Sequence, residues 1–220
     1  MEILFLDAKL LVCVKPVGLL STDEPGGVPE ALRDQLGDPG APLYPVHRLD
    51  RTVGGLLALA RTRRAAGDLG RAVAEGRFHK EYLAVVPAAP TPPVGTLRDW
   101  LLRDRARRVT QAVPPETPGA KEAMLDYEPL SETEGAALLR IVLRTGRTHQ
   151  IRAQLAARGL PLLGDRKYGG RTGTIETPAL WCHKLAFPHP KTGEILTFTC
   201  APPMVFPWNL YWDNPLTTNH

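Results

Sequence analysis

Asp50 is the carboxylate in this chain best placed to do chemistry. It closes the run His47-Arg48-Leu49-Asp50, with Arg51 directly after it and the pair Gly54-Gly55 close behind. A single ionised carboxylate can serve as a nucleophile or a base toward an activated carbon. Hydrolytic glycosidases normally need two such groups, and nothing in the sequence marks a second acid as a partner of Asp50. A buried aspartate stays ionised only when a cation or several hydrogen bonds oppose its desolvation. Arg152, which is always protonated, is a suitable cation. It ends a second run, Leu143-Arg-Thr-Gly-Arg-Thr-His-Gln-Ile-Arg152, which is followed by Gly159-Leu-Pro-Leu-Leu-Gly-Asp-Arg-Lys-Tyr-Gly-Gly170. Four residues alone fit a solvated ion pair, whereas the two runs together are specific.

Composition sets the frame around these residues. With 220 residues, 43% of them hydrophobic and 23% charged, the chain has enough material for a substantial core. Its formal charge of +4 leans modestly toward a polyanionic partner. The placement of charge says more than the total. Arginine is dense at 61, 63 and 64, at 103, 105, 107 and 108, and at 144, 147 and 152; it is the side chain that grips phosphate bidentately and stacks on bases. Cys13, Cys182 and Cys200 are few and widely spaced, which argues against a disulfide framework. Cys182-His183 with His189 lacks the paired spacing of a zinc site, so no metal and no cofactor is expected. The opening Met1-Glu-Ile-Leu-Phe-Leu-Asp7 has neither a basic lead nor a long apolar run, which points to a cytoplasmic protein with no membrane partner.

The elements that must position Asp50 and Arg152 follow from periodicity and breakers. Strands are predicted over 3–6 and 10–14, a short helix over 29–36, and a buried strand over 56–60. Thr62 caps a helix running to about Glu75, with Gly76 as its stop. A strand over 79–86 puts Lys80 and Tyr82 on one face. Residues 98–122 read as a long irregular, arginine-rich arm, followed by strands over 123–130 and 137–144. Thr148 is expected to cap a helix over 150–158, which places Arg152 in its early turns. Late strands are predicted over 181–187 and 195–200. The tail from 207 carries Trp208, Tyr211 and Trp212, expected to dock on the core. With no long linker and no repeat, residues 1–220 are read as one domain.

Across nearly its whole length the chain resembles the RluA-type pseudouridine synthases. The resemblance rests on the opening Ile3-Leu-Phe-Leu-Asp-Ala-Lys-Leu-Leu-Val-Cys-Val-Lys-Pro-Val-Gly18, on His47-Arg-Leu-Asp50, on Lys80-Glu-Tyr-Leu-Ala84, on Thr145-Gly-Arg-Thr-His-Gln-Ile-Arg152, on Leu163-Gly-Asp165 with Tyr168-Gly169, and on His189-Pro-Lys-Thr-Gly-Glu194. It implies an α/β fold built on a twisted, largely antiparallel sheet flanked by helices and loops. It implies that Asp50 is the catalytic aspartate, that Tyr82 packs on the target base and helps move a proton, and that Arg152 pairs with Asp50. Arg48 would take the place of the flipped uridine, with His47, Lys80, Arg147 and His149 as further substrate contacts. Taking the target out of its stack costs a few kcal/mol.

The implied reaction detaches uracil from its ribose carbon, rotates it and rejoins it through carbon 5, without cofactor or metal. The aspartate could attack the sugar, attack the base or take the 2′ proton, and the sequence does not choose. The partner would be structured ribosomal or transfer RNA, and the protein a monomer with no obligatory protein partner. The chain departs from the family in carrying Val53-Gly54-Gly55 where Thr-Ser-Gly is usual, and in starting directly at the catalytic-domain opening without an S4-like RNA-binding domain. The altered loop and the arginine-rich arm keep open an alternative, a catalytically silent RNA-binding or ribosome-assembly protein on the same scaffold.

Overall fold

A computed structural model of the chain describes residues 1–170 and 175–211. In chain order the elements are β1 (Ile3–Leu6), β2 (Leu10–Lys15), α1 (Val28–Leu36), β3 (Tyr44–Pro45), β4 (Gly54–Ala60), α2 (Arg63–Ala74), β5 (His79–Val86), β6 (Gly95–Asp104), β7 (Val109–Val113), β8 (Lys121–Thr133), β9 (Ala136–Leu143), α3 (Gln150–Ala156), β10 (Leu180–Pro188) and β11 (Ile195–Thr199), with 3-10 turns over Arg166–Tyr168 and Trp208–Tyr211. The chain divides into two compact units, one of residues 1–80 and 182–201, the other of residues 81–181 and 202 onward.

The first unit carries the strand order β1-β2-β4-β10, with β3 beside β4 and β11 beside β10. β2 and β4 pair antiparallel from Leu10↔Ala60 to Lys15↔Gly55. All seven residues of β4 are buried, and such a strand shows no alternation because water reaches neither face. Gly55 is required there. A Cβ on it would lie 2.3 Å from the Cys182 carbonyl oxygen, and its φ is +113°. α1 starts with Pro29 in its first turn and ends at Gly37, whose φ of 64° lets its amide reach back to the helix. Val28 and Leu32 pack with Leu11, Cys13, Leu57 and Leu59, each large side chain contributing about 1.5–3 kcal/mol of burial. α2 is capped as expected, Thr62 accepting the Ala65 amide at 3.1 Å, and buries Ala65, Leu69 and Ala72 on one stripe.

The second unit carries the order β5-β9-β8-β6-β7, and every pairing along it is antiparallel. The expected irregular arm over 98–122 is instead mostly a hairpin. β6 pairs with β7 from Trp100↔Val113 to Asp104↔Val109, and with β8 from Gly95↔Tyr127 to Leu101↔Lys121. The alternation that builds β6 is present, with Leu97 and Leu101 buried. It is hidden in the sequence by Arg98 and Arg103 within the strand and by the turn Arg105-Ala-Arg-Arg108. The helix α3 also differs at its start. His149, not Thr148, is the cap, with φ 54° and no side-chain cap bond. The Arg147 amide, two residues before that cap, donates to Gln150 Oε1 at 2.9 Å, so the first helical side chain reaches back to fix the entering chain. Trp208 and Tyr211 are buried as expected; Trp212 lies outside the described residues. The α/β class and the largely antiparallel sheet structure are as expected. No helix among the described residues is long and apolar enough to cross a membrane.

Candidate active site

The Asp50 loop is tied down on both sides. Ser21 Oγ donates to the Leu49 carbonyl at 2.9 Å and accepts the Leu49 amide at 3.0 Å, so the residue before Asp50 is fixed in both directions. After it, the Val53 amide turns back to the Asp50 carbonyl at 3.0 Å. Arg51 Nε donates to the Gly18 carbonyl at 2.8 Å, while the Gly18 amide donates to the Arg51 carbonyl at 2.8 Å. Along the run, His47 and Leu49 are buried, Arg48 is exposed and Asp50 is half-buried. The loop therefore anchors two side chains inward and presents Arg48 and Asp50 outward.

The deepest tie is Lys15, the last residue of β2. It is fully buried, and its Nζ donates to the Val53 carbonyl at 2.8 Å and the Pro16 carbonyl at 3.0 Å. Burial lowers its pKa to about 8, against the pull of the Asp50 charge, which raises it. Lys15 thus holds the loop and places a cation in the field of Asp50. It was not among the expected site residues, although a lysine closing an apolar strand just before Pro16 and Gly18 is a readable signal.

His47 and Lys80 are both buried side chains. His47 Nε2 accepts the Ala58 amide at 3.3 Å, which leaves the proton of the neutral ring on Nδ1, an atom with no partner. Burial, and secondarily the Lys80 charge, lower the His47 pKa to about 3. Its ring packs at 5.4 Å on Phe78, itself stacked on Phe187 at 4.5 Å. Lys80 is buried too, with its pKa lowered mainly by desolvation.

In the second unit, Tyr82 is a buried residue of β5 opposite Ile141. Arg152 is 5% exposed and makes a two-pronged pair with Asp165, Nε to Oδ2 at 2.7 Å and Nη2 to Oδ1 at 2.8 Å. This fork sets the plane of the guanidinium, and the Tyr168 ring lies 5.0 Å from its centre. Tyr168 also accepts the Thr110 amide at 2.8 Å, and its hydroxyl shares a hydrogen bond with His149 Nδ1 at 2.9 Å. Arg147 is exposed and donates through Nε to the Glu122 carbonyl at 2.9 Å. Asp165 and Tyr168 carry parts that spacing alone did not assign, although both stand in the second sequence run. Gln150 hooks that run to β8, its Nε2 donating to the Met124 carbonyl at 3.0 Å.

His183 is structural, its Nδ1 donating to the Cys200 carbonyl at 3.0 Å. Among the described residues, no three His, Cys, Asp or Glu side chains gather as a metal-holding group.

A clamped Asp-bearing loop in one unit and a forked arginine in the other sit on a backbone of known type. The family described as RNA pseudouridylate synthase matches residues 9–157. The chain belongs to that family. It is 36% identical over 204 residues to the dual-specificity RNA pseudouridine synthase RluA of Escherichia coli strain K12, covering 89% of this chain and 90% of the relative. A chloroplastic RNA pseudouridine synthase 2 of Oryza sativa subsp. japonica is 33% identical over 208 residues, where the match takes 81% of this chain and 45% of the longer relative. Among solved structures, the human RNA pseudouridylate synthase domain containing 4 protein matches with a TM-score of 0.76 at 24% identity, over 92% of this chain and 88% of that one, a likeness of fold.

Proposed function

We propose that this protein is an RNA pseudouridine synthase that isomerises uridines of ribosomal or transfer RNA, with Asp50 as the reacting carboxylate. The observation that carries the reading is the clamped loop, which holds Leu49 in both directions through Ser21 and leaves Asp50 half-buried beside a buried ammonium. A carboxylate that must meet a flipped nucleotide needs a fixed backbone and an open side. Arg48, exposed two residues before it, suits the filling of the space that the base leaves. Tyr82 is proposed as the aromatic platform for the base and Arg152 as the cation of the reaction, with Arg147 and His149 as RNA contacts. His47 and Lys80, both buried, are better suited to supporting the loop.

The reading takes the chain as a monomer acting without an obligatory protein partner. The silent-scaffold alternative leaned on Val53-Gly54 and on the arginine-rich arm. The bonds of Val53 in this loop run through its backbone carbonyl and amide, so the missing hydroxyls lend it little weight.

Asp50→Asn removes the charge while keeping the size and the backbone ties. Its expected result is loss of pseudouridine formation in ribosomal or transfer RNA, with RNA binding and thermal stability close to those of the parent. Turnover retained on a true substrate overturns the assignment of Asp50. Pseudouridine mapping of cellular RNA from a deletion strain tests the activity as a whole, because a pure binder leaves every site modified.

A further inference from the structure

Two cationic side chains converge on one carbonyl at the tip of the β6–β7 hairpin. Arg103 Nη1 donates to the Arg108 carbonyl at 2.7 Å, and Lys167 Nζ donates to the same oxygen at 3.4 Å. Arg108 presents that carbonyl from a left-handed conformation, φ 56°, which a side-chain-bearing residue adopts at a cost. His149, also left-handed at φ 54°, places Nδ1 3.4 Å from Arg103 Nη1. Among the described residues no carboxylate pairs with Arg103, Arg108 or Lys167. Arg107 alone of this turn has an acid, Asp104, at 3.8 Å.

One carbonyl takes a single bond from each cation, whereas a guanidinium offers five N–H donors and an ammonium three. Like charges held together with an acid on neither suit an outside anion that has several oxygens. The spacing between the two cations is also built. Lys167 sits in the 3-10 turn directly before Tyr168, and Tyr168 Oη accepts the amide of Thr110 on β7 at 2.8 Å. That bond ties the turn carrying Lys167 to the hairpin carrying Arg103. The Tyr168 ring rests in addition on Arg152, so the same tyrosine bonds the hairpin that carries Arg103 and packs on the proposed reaction cation.

We infer that Arg103 and Lys167 form a seat for one backbone phosphate of the RNA. The inference rests on the reading of the protein as an RNA-modifying enzyme and adds where a phosphate of the strand is held. The seat is independent of base identity, since phosphate contacts set register and carry no sequence information.

The test measures binding of the full chain to a uridine-containing RNA stem-loop by fluorescence anisotropy across a chloride series. Pseudouridine formation in the same RNA is measured separately. Arg103→Gln and Lys167→Gln are each expected to weaken binding and flatten the plot of log affinity against log salt. The double variant should lose about 0.7–0.9 of slope in all, the share of one phosphate, because both cations act on that one group. Lys191→Gln, an equal charge change in an exposed turn, should leave the slope unchanged. Slopes and affinities of the Arg103 and Lys167 variants that match those of Lys191→Gln overturn the seat, as does a double variant that loses twice the expected slope. Inorganic phosphate that binds the parent but not the double variant, while the two bind RNA with equal affinity and equal salt slope, assigns the seat to a free anion and overturns the nucleic-acid reading. Binding that behaves as expected without pseudouridine formation overturns the proposed activity and leaves the seat standing.

Discussion

Lys15 concentrates the question of how Asp50 is held. Its ammonium is buried and donates to the carbonyls of Pro16 and Val53, which stand before and after the Asp50 loop in the chain. Lys15→Met keeps much of the volume and removes every donor. The Val53 and Pro16 carbonyls then lose a charged partner, at about 1–3 kcal/mol of stability; part of that is returned because an ammonium no longer has to be desolvated. Activity should suffer more than stability. A fall in kcat of tenfold or more with little change in RNA binding is expected, and a variant with parental kcat would show that the loop holds its geometry without the lysine. The proposed reacting groups could be named from the sequence because Asp50 and Arg152 stand in specific runs. Their supports were less so. Ser21 and Asp165 act through bonds to partners 28 and 13 residues away, and no local spacing rule reports such a bond.

At the scale of elements, the β6–β7 hairpin shows where periodicity misleads. Its arginines and the prolines just after it read as irregular chain, but Leu97 and Leu101 are buried along β6. The strands with continuous apolar runs, β2 and β4, were plain in the sequence, as was α2 with its Thr62 cap. The start of α3 was not, because Gln150 satisfies the Arg147 amide from a helical position. The hairpin's placement rests on Tyr168, whose hydroxyl links Thr110 to His149. Tyr168→Phe removes that link and keeps the ring over Arg152. It should cost about 1 kcal/mol in urea unfolding, raise KM for RNA and leave kcat near the parental value. Tyr168→Leu, which also removes the ring, should lower kcat as well. Steady-state kinetics on one RNA decide between them, and a kcat loss in Tyr168→Phe as large as in Tyr168→Leu would refute the division of labour.

For the whole molecule, His47 dictates how stability responds to acid. Its folded pKa of about 3 lies below the ordinary histidine value of 6.5, so between those limits the unfolded chain binds a proton that the folded chain refuses. Stability is therefore complete above about pH 6.5 and declines as pH falls, by at most about 1.4 kcal/mol per pH unit. Carboxylates add their share only lower down. In Asp126 and Asp7 desolvation is outweighed by hydrogen bonds and by the charges of Arg144 and His189, so their pKa values are lowered; they contribute fully above the unfolded value of 3.8 and lose that contribution as pH falls below it through their lower folded values. Lys15 works at the other end, where its folded pKa near 8 means that the cost of burying its charge is relieved as pH rises from about 8 toward 10.5. Urea unfolding followed by far-UV circular dichroism at pH 7.5, 6, 5 and 4.5 should show the decline. His47→Gln can still accept the Ala58 amide but has no proton to gain, so it should flatten the curve between pH 6.5 and 4.5 while leaving the loss below pH 4 in place. A parental curve that is level from pH 7.5 to 4.5, or a His47→Gln curve as steep as the parent's, would mean that the buried imidazole does not govern acid stability.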